Sequence, residues 1–202
     1  PAKRYSFLVG EGEPSHTAQM QLAKIYELTS QNPTLAQLEE AFSVEKVTKE
    51  FFDKYRDLFE SVVTELKSSQ TFQNESSKNN IDTESFAKKL LGQIVFLYFL
   101  QKKGWLGVPK GKSWGEGDKM FLRNIYNQAI SENKNFFNNY LEVLFYDTLN
   151  NARNDKVDRN YSDFFQSKVP FLNGGLFEPQ YDWKNSLMFL DNKLFDKILG
   201  VF

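Results

Sequence analysis

The sequence predicts a mainly α-helical fold: an irregular multi-helix bundle with a short β element near the N-terminus and extended segments around 169–179. Apolar residues recur at helical spacing in several long stretches, which is the first observation behind this class. The second is that strand and helix patterns do not alternate as they do in proteins with a parallel sheet. Phenylalanine accounts for 20 of the 202 residues. We therefore expect a single helical domain over 1–202 with an aromatic-rich core.

The N-terminal part, residues 1–67, opens with an apolar run at 4–9 that is typical of a short strand. A helix over 15–28 and a shorter helix over 34–42 follow. Each begins at a serine or threonine whose side chain can cap it. The N-terminal part is therefore predicted to be helical after its first few residues.

The longest predicted helix begins after Ser43. Its apolar residues advance by about 3.7 positions per step, close to the α-helical period of about 3.6. The series is Val44, Val47, Phe51, Tyr55, Leu58, Val62 and Leu66. The polar composition of 68–82 then predicts an exposed, mobile loop that separates the N-terminal part from the rest of the chain.

The central and C-terminal part, residues 83–202, begins with a helix that is apolar on nearly all sides and therefore belongs in the middle of the bundle. Gly104 supplies its left-handed cap. A glycine- and lysine-rich loop over 107–117 leads to helices over 118–130 and 135–149, which we expect to pack antiparallel.

The last third of the chain is predicted to be irregular, with one more helix. Residues 150–163 are polar and indicate a loop, 169–179 are irregular or weakly extended, and the last helix covers 191–199. The sequence starts without methionine and ends on an apolar stretch, so we expect it to be part of a longer protein.

Composition excludes several classes of function. The net charge is -1 and the isoelectric point is near 6.0, so no global field would hold the chain on nucleic acid, and any such contact must be local. The absence of cysteine excludes disulfides, thiolate metal sites and a thiol nucleophile. No apolar run approaches the roughly 20 residues of a membrane span, and no signal peptide is recognisable. We expect a cytoplasmic protein without a membrane partner.

One local concentration of positive charge stands out between residues 102 and 123. Its members are Lys102, Lys103, Lys110, Lys112, Lys119 and Arg123. Trp105 and Trp114 are interleaved with them, a combination found where proteins contact nucleic-acid phosphates. We hypothesise contact with the DNA backbone here. The alternative is a solvated loop whose tryptophans pack on the core.

A glycine turn with large apolar neighbours forms the second candidate feature. It consists of Asn173, Gly174, Gly175 and Phe177 within VPFLNGGLFEP. Such a turn lets two backbone segments approach closely. Because Asn173 is its one polar side chain, packing, including packing between domains, is favoured over catalysis.

Catalytic signals are weak. A metal-dependent nuclease needs an acidic residue and an acidic-x-Lys pair at a strand end to hold Mg²⁺. Glu65 with Lys67 and Asp191 with Lys193 match this string, but both lie at predicted helix ends, where side chains two residues apart diverge by about 200°. His16 has no cysteine to activate and no carboxylate spaced to orient it, so a structural role is favoured.

Two further motifs are incomplete. Gly10 and Gly12 follow an apolar run, but no third glycine arrives and neighbouring carboxylates would repel phosphate, so a structural turn is favoured. No Pro-Pro pair occurs, so the loop with which amino methyltransferases grip the target amine is missing from these residues.

The most unusual segments are FLYFLQKKGWLG at 96–107 and VPFLNGGLFEP at 169–179. Together with KKLLGQIV at 88–95, NNYLEVLFYDTLNN at 138–151 and FDKILGVF at 195–202, they resemble the region upstream of the N6-adenine methyltransferase domain in type IIG restriction-modification enzymes. Related phage-exclusion DNA methyltransferases look similar there. Residues 4–28 and 42–62 share the resemblance, which therefore covers most of the chain apart from its polar loops.

The resemblance implies a non-catalytic helical connector that spaces and orients nuclease and methyltransferase modules on DNA. It places no catalytic, cofactor-binding or metal-binding residue in this chain, and it implies S-adenosylmethionine and Mg²⁺ as cofactors of the parent protein. The implied partners are DNA, bound through the parent protein, and the adjacent modules of the same chain. The alternatives are a degenerate Mg²⁺-dependent nuclease domain that uses Glu65 and Lys67, and a helical protein-interaction module unrelated to DNA.

Overall fold

Helices make up most of the structure, as the sequence predicts. The computed structural model describes residues 6–7, 9–10, 15–27, 32–42, 44–153, 160–172 and 174–202. Its α-helices are α1 (His16–Tyr26), α2 (Leu35–Ala41), α3 (Val44–Ser68), α4 (Gln70–Lys78), α5 (Thr83–Lys102), α6 (Phe121–Ser131) and α7 (Asn192–Val201). Apart from α4, each of these helices corresponds to a predicted one.

The helix expected over 135–149 is present with a different geometry. Its backbone forms two π-helical segments, Phe137–Leu141 and Val143–Leu149, in place of an α-helix. A π-helix closes each turn one residue later than an α-helix, and apolar spacing does not distinguish the two over such a short length. Aromatic side chains fill its buried side.

The two strands among the described residues lie late in the chain. Strands β1 (Tyr161–Ser162) and β2 (Ser167–Lys168) form an antiparallel hairpin in which Tyr161 pairs with Lys168. Val108 adds an isolated bridge to Lys168. Of the strand expected near the N-terminus, at 4–9, residues 4, 5 and 8 lie outside the described residues, and residues 6, 7 and 9 do not form a strand.

The chain divides into two compact units, Pro1–Asp57 and Leu58–Phe202, so the division falls within α3 and not at 68–82. In the first unit, α1 and α2 pack together, and Phe7 stacks on Phe42 with ring centroids 4.7 Å apart. Thr34 caps α2 as predicted, since its hydroxyl accepts from the Gln37 amide and the Gln37 side chain accepts from the Thr34 amide.

The second unit is built around α5, whose buried residues include Leu90, Leu91, Ile94 and Leu97. Asp82 caps this helix by accepting from the Ser85 amide at 2.8 Å. Rings from several elements meet in the core, and the aromatic-rich core that the composition predicts is therefore present. The closest such pairs are Phe72–Phe86, Tyr126–Phe136, Phe136–Phe195, Phe137–Phe195 and Phe145–Phe177.

The loop predicted over 68–82 is wrong, because α4 occupies most of this segment. Ser69 caps α4 by accepting from the Phe72 amide, and Phe72 is fully buried. The polar residues that suggested a loop lie mainly on the exposed face. The helix buries Phe72 together with Glu75 and Ser76, and tertiary packing of this kind stabilises a short helix of weak propensity.

Candidate nucleic-acid interface

The candidate interface begins at the end of α5, where the chain turns through a glycine cap. Gly104 has φ +70°, its amide donates to the Gln101 carbonyl at 2.8 Å, and the Trp105 amide donates to the Leu100 carbonyl at 2.9 Å. These two bonds define a Schellman motif. The predicted left-handed cap is therefore confirmed, and it fixes the direction in which Lys103 and Trp105 leave the helix.

The loop that follows folds back onto this cap. The Gly104 carbonyl accepts from the amides of Gly115 and Gly117 at 2.9 and 3.0 Å. A Cβ atom on Gly104 would lie 2.2 Å from the Gly115 carbonyl oxygen, and one on Gly117 would lie 2.3 Å from the Leu106 carbonyl oxygen. Because only glycine permits such close approach, the loop is held against the end of α5 by its own backbone.

A tight turn over residues 113–116 completes the loop. The Glu116 amide donates to the Ser113 carbonyl at 3.2 Å, and Gly115 has φ +103°, which the third residue of a type II turn requires. The Ser113 amide donates to the Glu116 carboxylate at 2.9 Å and is the first cause of a lowered pKa at Glu116. Lys112 pairs with the same carboxylate at 3.3 Å.

Three of the six predicted basic residues are engaged within the protein. Lys112 is paired with Glu116, and Arg123 donates to Asp196 at 2.7 Å. The Lys119 ammonium donates to the Lys102 carbonyl at 2.7 Å. These contacts stabilise the loop and its junction with α6 and α7, and they reduce the positive charge offered to a ligand.

The other three, Lys102, Lys103 and Lys110, are exposed and form no ion pair with any described residue. The Lys103 ammonium lies 5.7 Å from the centroid of the Phe99 ring, and that of Lys110 lies 5.6 Å from the Tyr161 ring. Such ring contacts leave the charge available to phosphate. The interface therefore reduces to these three ammonium groups, which we call the lysine triad.

Two tryptophans accompany the lysine triad at the surface. Trp105 is 42% exposed and Trp114 is 44% exposed, so neither is a core residue. Trp105 follows Gly104 and Trp114 precedes Gly115, and the Gly115 amide donates to the Gly104 carbonyl. This backbone hydrogen bond brings the two tryptophan positions close together. The sequence placed both residues in the loop, but it gave no means of telling that their rings remain accessible.

In the predicted glycine turn, Phe177 packs within the second unit, but the close backbone approach expected at the glycines is not found. A Cβ atom on Gly174 would meet nothing within 4 Å, and one on Gly175 would meet only the Glu178 carboxylate at 3.9 Å. Phe177 is buried, with its ring 5.5 Å from that of Phe145 and 6.1 Å from that of Phe96. Gly174 and Gly175 are exposed, and Asn173 lies outside the described residues. Packing between domains at this turn remains a prediction.

The acidic-x-Lys strings lie at helix ends. Glu65 and Lys67 occupy the last turn of α3, where Lys67 pairs with Glu84 at 3.2 Å. Asp191 caps α7 by accepting from the Lys193 amide at 2.8 Å. Among the residues that the structure describes, no three acidic or histidine side chains are grouped so that they could hold a metal ion.

Sequence reasoning missed a buried acid at Glu142, between the two π-helical segments. Its carboxylate accepts from the Tyr181 hydroxyl at 2.5 Å and from the Asn138 amide group at 2.9 Å. Burial raises the pKa of Glu142 to about 7, although both hydrogen bonds oppose the rise. The one sequence signal for a buried acid here was the position of Glu142 inside the apolar run YLEVLF at 140–145.

Glu142 borders an open groove of about 470 Å³ that Trp183 and Phe189 also line. The Ser186 hydroxyl, on the same groove, donates to Glu75 of α4 at 2.6 Å. These bonds tie the 181–189 segment to two helices. Besides its aromatic walls, the groove offers the Glu142 carboxyl, the Lys184 ammonium and the Ser186 hydroxyl. The hydrogen bond from Ser186 is the first cause of a lowered pKa at Glu75, so this carboxylate is a poor base for activating the hydroxyl.

Comparison with known proteins gives one relative. The chain is 26% identical over 179 residues to a protein of Methanocaldococcus jannaschii named "Putative type II restriction enzyme and methyltransferase RM.MjaORFECS2P". The aligned region covers 77% of this chain and 14% of that protein. No protein-family model matches the chain, and no solved structure matches it. The match relates the chain to restriction-modification proteins.

Within the described residues, no helix has the length and apolarity that crossing a membrane requires.

Proposed function

We propose that the chain is a non-catalytic helical scaffold segment of a type IIG restriction-modification protein, a site-specific adenine methyltransferase and endonuclease. In this proposal it orients the nuclease and methyltransferase modules of the parent chain and contacts the DNA backbone through the lysine triad. S-adenosylmethionine and Mg²⁺ would serve the catalytic modules. The similarity to a restriction-modification protein over most of this chain, and over only a small share of that relative, supports a segment role.

The proposed DNA contact is supported by a difference among the six basic residues: three are bonded within the protein and three are exposed without an ion pair to a described residue. Lys112 pairs with Glu116 inside the loop, Lys119 bonds the end of α5, and Arg123 joins α6 to α7. In contrast, Lys102 and Lys103 at the end of α5 and Lys110 in the loop remain exposed. Exposed ammonium groups on a backbone fixed by glycine contacts need little reordering when they meet phosphates. A net charge of -1 makes this local surface the favourable place for duplex DNA to approach.

Reversing the lysine triad tests this proposal. The triple variant Lys102→Glu, Lys103→Glu and Lys110→Glu should bind duplex DNA at least about tenfold more weakly at low salt, because it replaces three phosphate-binding charges by repelling ones. Fluorescence anisotropy with a labelled duplex over a series of salt concentrations measures the affinity and its salt slope, that is, the change in log affinity with log salt concentration. Each lysine that contacts a phosphate contributes about 0.9 to this slope. The salt slope should fall by about 2 to 3.

A matched control carries Lys54→Glu, Lys88→Glu and Lys193→Glu, which change the net charge equally from exposed positions elsewhere. The control should retain most of the wild-type affinity. Equal losses in the two variants would assign binding to overall charge, and an unchanged salt slope in the triad variant would refute the proposed contact.

A further inference from the structure

Trp105 and Trp114 are not used by the proposed contact with duplex phosphates. Their exposed fractions, 42% and 44%, are high for the residue type that gains most from burial. Phe99 and Met120, also large apolar side chains, are exposed in the same stretch of chain. The chain thus places four exposed large apolar side chains, two of them tryptophans, in the stretch that also bears the lysine triad.

The backbone holds both tryptophans firmly. Trp105 is the residue that closes the Schellman motif at the end of α5, through its amide bond to Leu100. Trp114 occupies the second position of the turn that Ser113 and Glu116 close. The bond from the Gly115 amide to the Gly104 carbonyl joins the two pieces. Because the backbone at both tryptophans is already ordered, less conformational freedom is lost when a ligand stacks on their rings.

The neighbouring charges favour an anionic partner. Lys103 precedes Gly104 and Trp105 directly, and Lys110 belongs to the same loop as Trp114, with neither ammonium group paired to a described carboxylate. Glu116 is the acidic residue nearest to Trp114 in the turn, and Lys112 neutralises it at 3.3 Å. Cationic groups around accessible indole rings are the combination with which proteins hold single-stranded nucleic acid.

We infer that Trp105 and Trp114, flanked by the lysine triad, bind unpaired nucleotides by stacking on their bases. The inference rests on the proposed function, since it assigns the same loop to DNA, and it adds that the favoured form is a single strand. A paired duplex hides its base faces and engages the lysines alone. An unpaired strand offers phosphates to the lysines and base faces to the indole rings.

The test compares a short labelled oligothymidylate with a duplex of equal length, using the full chain and fluorescence anisotropy. Wild type should bind the single strand more tightly than the duplex. Trp105→Ala and Trp114→Ala should each weaken single-strand binding by about fivefold to one-hundred-and-fifty-fold, the range of one base–aromatic stack. Duplex binding should change little, and Trp105→Phe should recover part of the loss.

Two further readings separate stacking from a structural role. Binding of the single strand should quench tryptophan fluorescence, and the quenching should persist in Trp183→Phe, which leaves Trp105 and Trp114 as the emitters. Met120→Ala, a change at an exposed apolar side chain of the same stretch, should leave both affinities unchanged.

The possible outcomes separate a failure of base stacking from a failure of the proposed DNA-backbone contact. Duplex binding that depends on the lysine triad, together with single-strand binding indifferent to both tryptophans, overturns the stacking and leaves the backbone contact intact. No affinity for either nucleic acid overturns both. Self-association of wild type that disappears in Trp105→Ala, without nucleic-acid binding, would make this surface a protein contact and also overturns the inference.

Discussion

At the scale of single residues, Glu142 is a buried acid whose pKa lies well above its ordinary value. Its two carboxylate oxygens accept from Tyr181 and Asn138, but these partners do not replace the water that burial removes. Burial therefore dominates and raises the pKa to about 7 from an ordinary value of 4.5. Burial likewise raises the pKa of Tyr181 and Tyr146, which stay neutral hydrogen-bonding groups.

This perturbation predicts how stability depends on pH. Between about pH 4.5 and 7 the folded chain retains a proton on Glu142 that the unfolded chain has lost, so the free energy of unfolding decreases as pH rises through this window. The decrease should be about 1 to 3 kcal/mol. Glu142→Gln has no such proton to lose, and urea unfolding at pH 5 and pH 8 should show a smaller difference in the variant than in wild type.

Glu132 provides the control, because its shift has the opposite sign. A hydrogen bond from Lys134 is the first cause that lowers the pKa of Glu132 to about 2, so the stability it contributes is present above pH 4.5 and lost as pH falls toward 2. Glu132→Gln should leave the difference between pH 5 and pH 8 unchanged. A wild-type difference that Glu142→Gln retains in full would contradict a raised pKa at this residue.

Several residue-level features follow from local chemistry and could be predicted from the sequence. Thr34 and Asp82 precede apolar helical series and cap them, and Gly104 ends α5 in the left-handed region. Each depends on neighbours within a few positions. Glu142 and the exposure of Trp105 depend on segments brought together by the fold, which one sequence read locally does not contain.

At the scale of elements, α4 shows where composition misleads. Serine, glutamine and asparagine favour caps and turns, yet Ser69 here caps a helix that presents Phe72 to the core. The Phe72 ring lies 5.1 Å from that of Phe86 on α5. The packing of one side chain outweighs the weak helical propensity of its neighbours.

The importance of this anchor can be measured by truncation. Phe72→Ala should lower the free energy of unfolding by about 3 to 5 kcal/mol, since it removes a fully buried ring and leaves a cavity beside Phe86. Ser77→Ala, on the exposed side of the same helix, should change it by less than about 0.5 kcal/mol. Chemical denaturation followed by circular dichroism gives both values. A loss below about 1 kcal/mol for Phe72→Ala would mean that α4 does not depend on this contact.

The π-helical segments could be predicted as a helix but not as this kind of helix. Their buried residues include Phe137, Tyr140, Leu144 and Phe145, and such a set also fits one face of an α-helix. The wider turn leaves Glu142 buried at the junction of the two segments. Insertions of this type are frequent at functional sites, and here one adjoins the groove lined by Trp183.

At the scale of the whole molecule, the described side chains of the two units differ in the size of the apolar groups that they bury. Among the described side chains of Pro1–Asp57, the buried apolar ones are Ala18 and Ala41, and both are small. Leu58–Phe202 buries many large ones, including Phe72, Phe136, Phe145 and Phe195. The sequence predicted one domain because apolar residues occur throughout, and it did not show which of them would be covered.

This asymmetry predicts two transitions in differential scanning calorimetry. The first unit, which is the shorter one and whose described buried apolar side chains are small, should unfold at the lower temperature, since small domains bury a low fraction of their surface. Ala41→Gly, which costs about 1 kcal/mol in the buried end of α2, should lower that transition by about 4 to 8 °C and leave the other in place. Phe72→Ala, in the second unit, should lower the temperature of the upper transition and leave the lower one in place. A single transition that both substitutions shift together would show that α3, which passes from one unit into the other, unites them into one cooperative domain.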